Sequence, residues 1–192
     1  MAYITLAEIK AYLTIPTATT SDDVMLASFI TSAQAMIDAH CHRTFEAAAD
    51  TEKTYDAVAD VYGDLLEIDD LCSITSITNG DGTTITSGQY VTEPRRATPY
   101  SAITLLSSAS ITWTYTDDPE DAITIDGKWA YSTSAGNDIK QACLRLSAWL
   151  YRQKDTNADI DRPLLSGDGV VIMPSTMPSD VIAILKPYRR RI

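Results

Sequence analysis

The stretch that most constrains this chain is Asn137 to Lys154, NDIKQACLRLSAWLYRQK. Ile139, Ala142, Cys143, Leu146 and Leu150 recur at spacings of three and four, so one face of a helix becomes a continuous apolar stripe. Asn137 is placed to cap that helix, because its side-chain oxygen can accept from an open N–H of the first turn. Asp138 lies at the positive end of the helix dipole, and Arg152 and Lys154 lie at the negative end. Trp149 and Tyr151 widen the apolar surface beyond the stripe. A lone helix cannot bury that much, so a partner must come from elsewhere in the chain.

One partner starts at Ser21-Asp22-Asp23 and runs to about His40, with Leu26, Phe29, Ile30, Ala33 and Ile37 as its stripe. A shorter helix precedes it. Thr5-Leu6-Ala7-Glu8 is a capping box, and the helix ends near Leu13, ahead of Pro16. After Arg43 the period changes to two. Thr54-Tyr55, Leu65 to Ile68 and Ser73 to Thr78 read as strands. Asn79-Gly80-Asp81-Gly82 is a turn, and Thr83 to Thr86 is expected to return as a strand. Tyr90-Val91, Ala102 to Leu106, Ile111 to Tyr115 and Ala122 to Ile125 follow, ending at Gly127. Asp155 to Gly169 reads as a flexible loop, and Val170 to Ile172 as a short extended piece. Ser179 would cap a last helix carrying Val181, Ile182, Ile184 and Leu185 up to Pro187. The expected fold class is α+β. It has a mainly helical bundle core from residues 3–45 and 135–154, with a small antiparallel β module inserted at about 46–132. Residues 1–154 form the body and 155–192 an extended C-terminal arm.

A chain of 192 residues suits one domain, or one domain with an arm, and its 45% hydrophobic content can build a core. No apolar run approaches the ~18 residues of a membrane helix. MAYITLAEIK lacks the basic-then-apolar pattern of a secretory signal, so a soluble protein of a cytosol is expected. Cys41, Cys72 and Cys143 are odd in number and far apart, which argues against a disulfide framework. Cys143 falls on the apolar stripe and reads as a small buried hydrophobe. The net charge is −11, and all of it resides in residues 1–154, since 155–192 hold five acids and five bases. Glu46 to Asp70 alone has nine acids and one base. Such a body does not bind DNA by counterion release, which needs clustered Lys and Arg. It serves solubility, or it repels nucleic acid.

Residue patterns that carry chemistry are sparse. His40-Cys41-His42 are adjacent and cannot easily turn three ligands onto one ion, and no second pair completes a metal site. Asp155 to Asp161 places oxygen donors at alternate positions, as a calcium loop does. Ile160 stands where that loop needs glycine, and Ser166 where it needs a bidentate glutamate. Asp69-Asp70 and Asp117-Asp118 read as solvated turns rather than as the separated carboxylates of a glycosidase. There is no GxSxG, Walker A or GxGxxG motif. No catalytic residue, metal or cofactor is therefore expected. The one strong basic feature is Arg189-Arg190-Arg191. Just before it, Val181, Ile184, Leu185 and Tyr188 stand at i, i+3, i+4 and i+7, which suits a helix docking in a partner's groove. The same spacing would serve docking on its own core.

Several stretches together resemble the head–tail connector family of long-tailed phages, the adaptor or head-completion proteins of lambda-like siphophages. They are YITLAEIKAYL (3–13), DDVMLASFITSAQAMIDAHCHRTF (22–45), SITSITNGDGTTI (73–85), QYV (89–91), PYSAITL (99–105), ITIDGKWAYS (123–132), DIKQACLRLSAWLYRQKD (138–155) and MPSDVIAILKPYRR (177–190). Ala130 departs from the family, which often has a second glycine after the tryptophan. The resemblance implies a structural virion protein and not an enzyme. It implies a dodecameric ring beneath the portal protein that extends the DNA channel, lets DNA pass without sequence-specific binding, and joins the next neck or tail protein. The C-terminal segment, Val181, Ile184, Leu185, Tyr188 and Arg189 to Arg191, would contact portal or neighbour. Leu144, Ala148, Trp149 and Tyr151 carry more apolar surface than a two-helix contact uses, so Trp149 and Tyr151, with Arg145 and Arg152 available for a neighbour's acids, would form the subunit interface. The rival readings are another neck or tail-completion ring protein and, from a different class, a carbohydrate-active phage enzyme using the acidic β module.

Overall fold

A computed structural model describes residues 2–154, 164–165, 171–172 and 177–190. The chain divides into two compact units, Arg43–Ala135 and Ala2–His42 with the described residues from Gly136 onward.

The second unit is helical. It contains α1 (Leu6–Tyr12), α2 (Asp23–Cys41), α3 (Asn137–Gln153) and α4 (Ser179–Leu185). Thr5 and Glu8 form the reciprocal capping box that starts α1. The bonds from Thr5 hold the Glu8 carboxyl below its usual value. Ile9, Leu26, Ile30, Ala33, Ile37, Ile139, Ala142, Cys143 and Leu146 are all buried, so the stripes of α2 and α3 meet as their spacing predicts. Val181 and Leu185 of α4 join the same core. Lys10 is buried as well. Its Nζ donates to the carbonyls of Thr17 (3.1 Å) and Thr19 (2.6 Å) and to Asp23 Oδ1 (2.7 Å). These acceptors offset the cost of taking a charge out of water and pin the α1–α2 connector.

The helix starts differ from expectation in one respect. Gly136 is the N-cap of α3 and Asn137 is its first helical residue, with no side-chain cap. Pro178 likewise precedes α4, and Ser179 lies inside it. α2 runs one residue beyond His40, and His42 closes it in the left-handed conformation (φ 55°).

The first unit is built of strands: β1 (Thr51–Tyr55), β2 (Val61–Tyr62), β3 (Leu65–Leu71), β4 (Ser73–Thr78), β5 (Tyr90–Glu93), β6 (Tyr100–Leu105) and β7 (Ile123–Lys128). They form two antiparallel sheets, ordered β1-β7-β4 and β2-β3-β6-β5. Tyr55, Ile77, Ile123 and Ile125 from the first sheet share one core with Leu66, Ile68, Leu71, Ile103 and Leu105 from the second. Trp113 and Trp129 close it. Their indole N–H groups donate to the carbonyls of Asp64 (2.9 Å) and Thr51 (2.7 Å).

This arrangement corrects the expected fold class. The protein is α+β, but it is not a mainly helical bundle with a small insertion. The β unit has two sheets and a core of its own. Each strand is short and its alternation weak. The pairing of Thr51 with Gly127 joins residues too distant for any local period to reveal.

Two expected strands are absent. Thr83 to Thr86 makes only an isolated bridge from Thr84 to Thr78, and Ile111 to Tyr115 only one from Tyr115 to Gly80. At Thr83 to Thr86 the Asp81 Oδ1 and Gln89 Oε1 accept from the N–H groups of Thr83 (2.9 Å) and Thr86 (2.8 Å), and at Ile111 to Tyr115 the buried Asn79 side chain intervenes. Its Oδ1 accepts from the N–H groups of Gly80 and Thr114 (both 3.1 Å), and its Nδ2 donates to Thr112 O (2.9 Å). One amide thereby satisfies backbone groups that a ladder would otherwise pair.

Beyond α3, β8 (Leu164–Leu165) pairs antiparallel with β9 (Val171–Ile172). The remainder of the loop expected at 155–169, with its calcium-like spacing, lies outside the described residues.

Candidate functional site: a groove between arginines on the helical unit

Arg145, Trp149 and Arg152 are four and three residues apart on α3, so they line one face of it. Tyr12 at the end of α1 and Pro178 and Asp180 at the start of α4 complete a groove of about 320 Å³. Its floor is aromatic: Tyr12 is 43% exposed and Trp149 half-buried. Arg145 Nη1 donates to Asp180 Oδ2 at 2.6 Å. That bond is the main cause holding the Asp180 carboxyl below its ordinary value. Arg145 Nε is buried without an acceptor among the described residues.

Three of the four residues expected at a subunit interface are thus together. Tyr151 is not with them. Its hydroxyl donates to Asp22 Oδ2 (2.5 Å), and Lys154 Nζ donates to the same oxygen (2.7 Å) while lying 4.2 Å from the Tyr151 ring centroid. The Lys154 and Tyr151 bonds lower the Asp22 carboxyl, and the Asp22 bond raises the Lys154 ammonium. Tyr12 was not anticipated. No sequence signal marks it, since it follows Ile9 by three residues and reads as part of the same apolar face, yet it is left 43% exposed.

Of the residues expected to meet the portal or a neighbour, Val181 and Leu185 are completely buried in this chain. Ile184 and Tyr188 are half-buried, and the Tyr188 hydroxyl donates to Asp138 Oδ2 (2.8 Å). Arg189 is exposed, while the Arg190 N–H donates to Cys41 O (2.9 Å). Arg191 lies outside the described residues. The stripe of α4 therefore seats the helix on its own core, and the outward side of this segment carries Ile182, Lys186 and Arg189.

The strand splits the Asp69-Asp70 pair, while Asp117 and Asp118 are both exposed. Asp69 and Asp70 alternate on β3, so they face opposite sides of the sheet. Asp69 pairs with Lys53 (2.7 Å), and Asp70 lies 3.2 Å from Arg43 Nε, whose guanidinium rests 5.3 Å from the Tyr131 ring centroid. Burial pushes the Cys143 thiol up to about 12, so it remains protonated at neutral pH. Among the described residues no three His, Cys, Asp or Glu side chains converge as a metal site would require.

The groove offers aromatic and charged groups for contact. Over residues 2–191 the sequence matches the profile of the family described as head completion protein. The chain belongs to that family, as the ordered motifs implied, and is a structural head–tail connector. Solved structures share its fold. A chain from the virion of a native gene transfer agent particle aligns with a TM-score of 0.61 at 20% identity, covering 99% of this chain and 91% of its own. A chain from the neck of an empty particle computed with C6 symmetry gives 0.59 at 18%, with the same coverage. One from the neck of a native particle computed with C12 symmetry gives 0.57 at 17%, again with the same coverage. No curated protein matches the sequence.

Proposed function

We propose that this protein assembles as a dodecameric ring beneath the portal, extends the DNA channel there and presents its other face to the next neck or tail protein. The observation that carries this reading is the likeness, across 99% of the chain, to chains of particle necks treated with C6 and C12 symmetry. The acidic body suits a channel, because a wall of like charge lets DNA pass without adhering. A ring with Glu46 to Asp70 on its outer rim would refute that role for those residues.

In this reading the basic end of the chain meets the portal. Ile182, Lys186 and Arg189 on its outward side, with Arg190 and Arg191, supply the contact, while Val181, Ile184, Leu185 and Tyr188 seat the segment on its own core. Electron microscopy and native mass measurement of the purified protein, alone and mixed with portal, test the proposal. The expected outcome is a closed ring on the portal, lost when Lys186 and Arg189 are both changed to glutamate. A free monomer alone is compatible, since closure can await the partner. Binding to tails before heads would instead identify a tail-completion ring.

A further inference from the structure

The β unit carries a surface that matches the groove. Residues 56–64, DAVADVYGD, form a tied turn. Asp56 Oδ1 accepts from the N–H groups of Val58 and Ala59 (both 2.7 Å), and Asp60 Oδ2 accepts from the Asp56 N–H (2.9 Å). The Ala57 N–H donates to Pro119 O (2.9 Å), the Glu67 N–H to Asp60 O (2.9 Å), and β2 pairs with β3 directly after. On this ordered frame Val58 is 60% exposed and Tyr62 64% exposed. Acids surround them: Asp56, Asp60, Asp64 and Glu67, the last two exposed.

Two exposed apolar side chains among carboxylates are the complement of an aromatic floor between guanidiniums. We infer that the groove formed by Tyr12, Arg145, Trp149 and Arg152 receives the 56–64 turn of a second copy of this chain. The inference rests on the ring reading and gives it a contact. One chain carries both halves, so the contact is head-to-tail, the type that closes into rings when the rotation permits. Charge complementarity selects this occupant. In a molecule of net charge −11, two copies repel over most of their surfaces, whereas the groove sets two arginines against the single carboxylate of Asp180 and so keeps a positive excess that can attract an acidic turn. The turn is held by its own hydrogen bonds before contact, so little ordering cost falls on association.

The test is disulfide trapping in particles assembled with a Tyr12→Cys, Tyr62→Cys chain on a Cys72→Ser background, since Cys41 and Cys143 are buried. Mild oxidation is expected to give a ladder of covalent oligomers on a non-reducing gel, while either single variant gives none. Charge exchange provides a second arm that does not depend on the cysteines. Arg152→Glu and Asp64→Lys should each weaken ring formation roughly tenfold, and combining them in one chain should recover most of the loss. Copies present in the neck by microscopy without a ladder, a crosslink confined within one chain, or no recovery in the double variant would each overturn the inference and leave the ring reading standing. Absence of the protein from the neck would overturn both.

Discussion

Gly127 illustrates a constraint that only spatial neighbours impose. A Cβ there would lie 2.2 Å from Ser73 O and 3.0 Å from Leu71 Cδ1, because β4 and β7 approach closely at the bulge between Ile74 and Ser76. The nearest atom is backbone and cannot swing aside. Gly127→Ala is expected to destabilise the β unit by ~1–3 kcal/mol or more, read as a lower denaturant midpoint at unchanged slope. A neutral result would mean that the two strands separate more easily than their pairing implies. The sequence marks Gly127 only as a place where a strand ends, whereas β7 continues through it to Lys128. Asn79 makes the same point in reverse. Its place in a turn is plain from Asn-Gly-Asp-Gly, but its replacement of a strand ladder at Thr112 to Thr114 is not, since these partners are more than thirty residues away.

Helix α4 is legible as an element and ambiguous as a contact. Its period states that one side is apolar, and a helix from this chain or from a partner could meet that side. In the folded chain Val181 and Leu185 are completely buried. Leu185→Ala should therefore cost about 2–5 kcal/mol, detectable as a lower melting temperature of the purified protein without any partner. A melting temperature unchanged by that substitution would show that α4 does not dock on its own core. The Arg145–Asp180 pair adds a pH signature. Asp180 has a carboxyl pKa below its ordinary value of 3.8, so its contribution is present above that value and is lost as pH falls through the lower folded value. Asp180→Asn should remove this acid-dependent part of α4 docking and leave the remainder, which hydrogen exchange of α4 amides between pH 5 and 2.5 would resolve.

The division into two units predicts independent folding. The ends of the β unit are stitched together: the Tyr131 N–H donates to Thr44 O (2.8 Å), Ala47 N–H to Ser132 O (3.3 Å), Ser132 Oγ to Phe45 O (3.2 Å), and Ala135 N–H to Glu46 Oε2 (3.1 Å). The Phe45 and Tyr131 rings lie 5.7 Å apart beside this seam. A fragment of residues 43–135 contains a complete core and a closed entrance. It is expected to unfold in one cooperative thermal transition, with near-ultraviolet signals from Trp113 and Trp129. A fragment without a transition would show that the core depends on the helices.

Helices α1, α2 and α3 could be read directly because helix periodicity, capping and charge placement are local. Their apolar faces are written within a few turns of chain. The connector family could be read for a related reason, since the order of weak local motifs survives even where no single motif is specific. The weight of the β unit could not be read that way. Strand pairing is set by partners such as Thr51 and Gly127, and a short strand carries its own alternation but not its neighbour's identity. The groove belongs to the same category. Arg145, Trp149 and Arg152 stand out along α3, while Tyr12 and Asp180 come beside them only when α1 and α4 pack on that helix. Tyr151 shows the limit most clearly. It has the same surplus apolar character as Trp149, yet Asp22 of a distant helix start takes its hydroxyl and assigns it to the interior bonding of the fold.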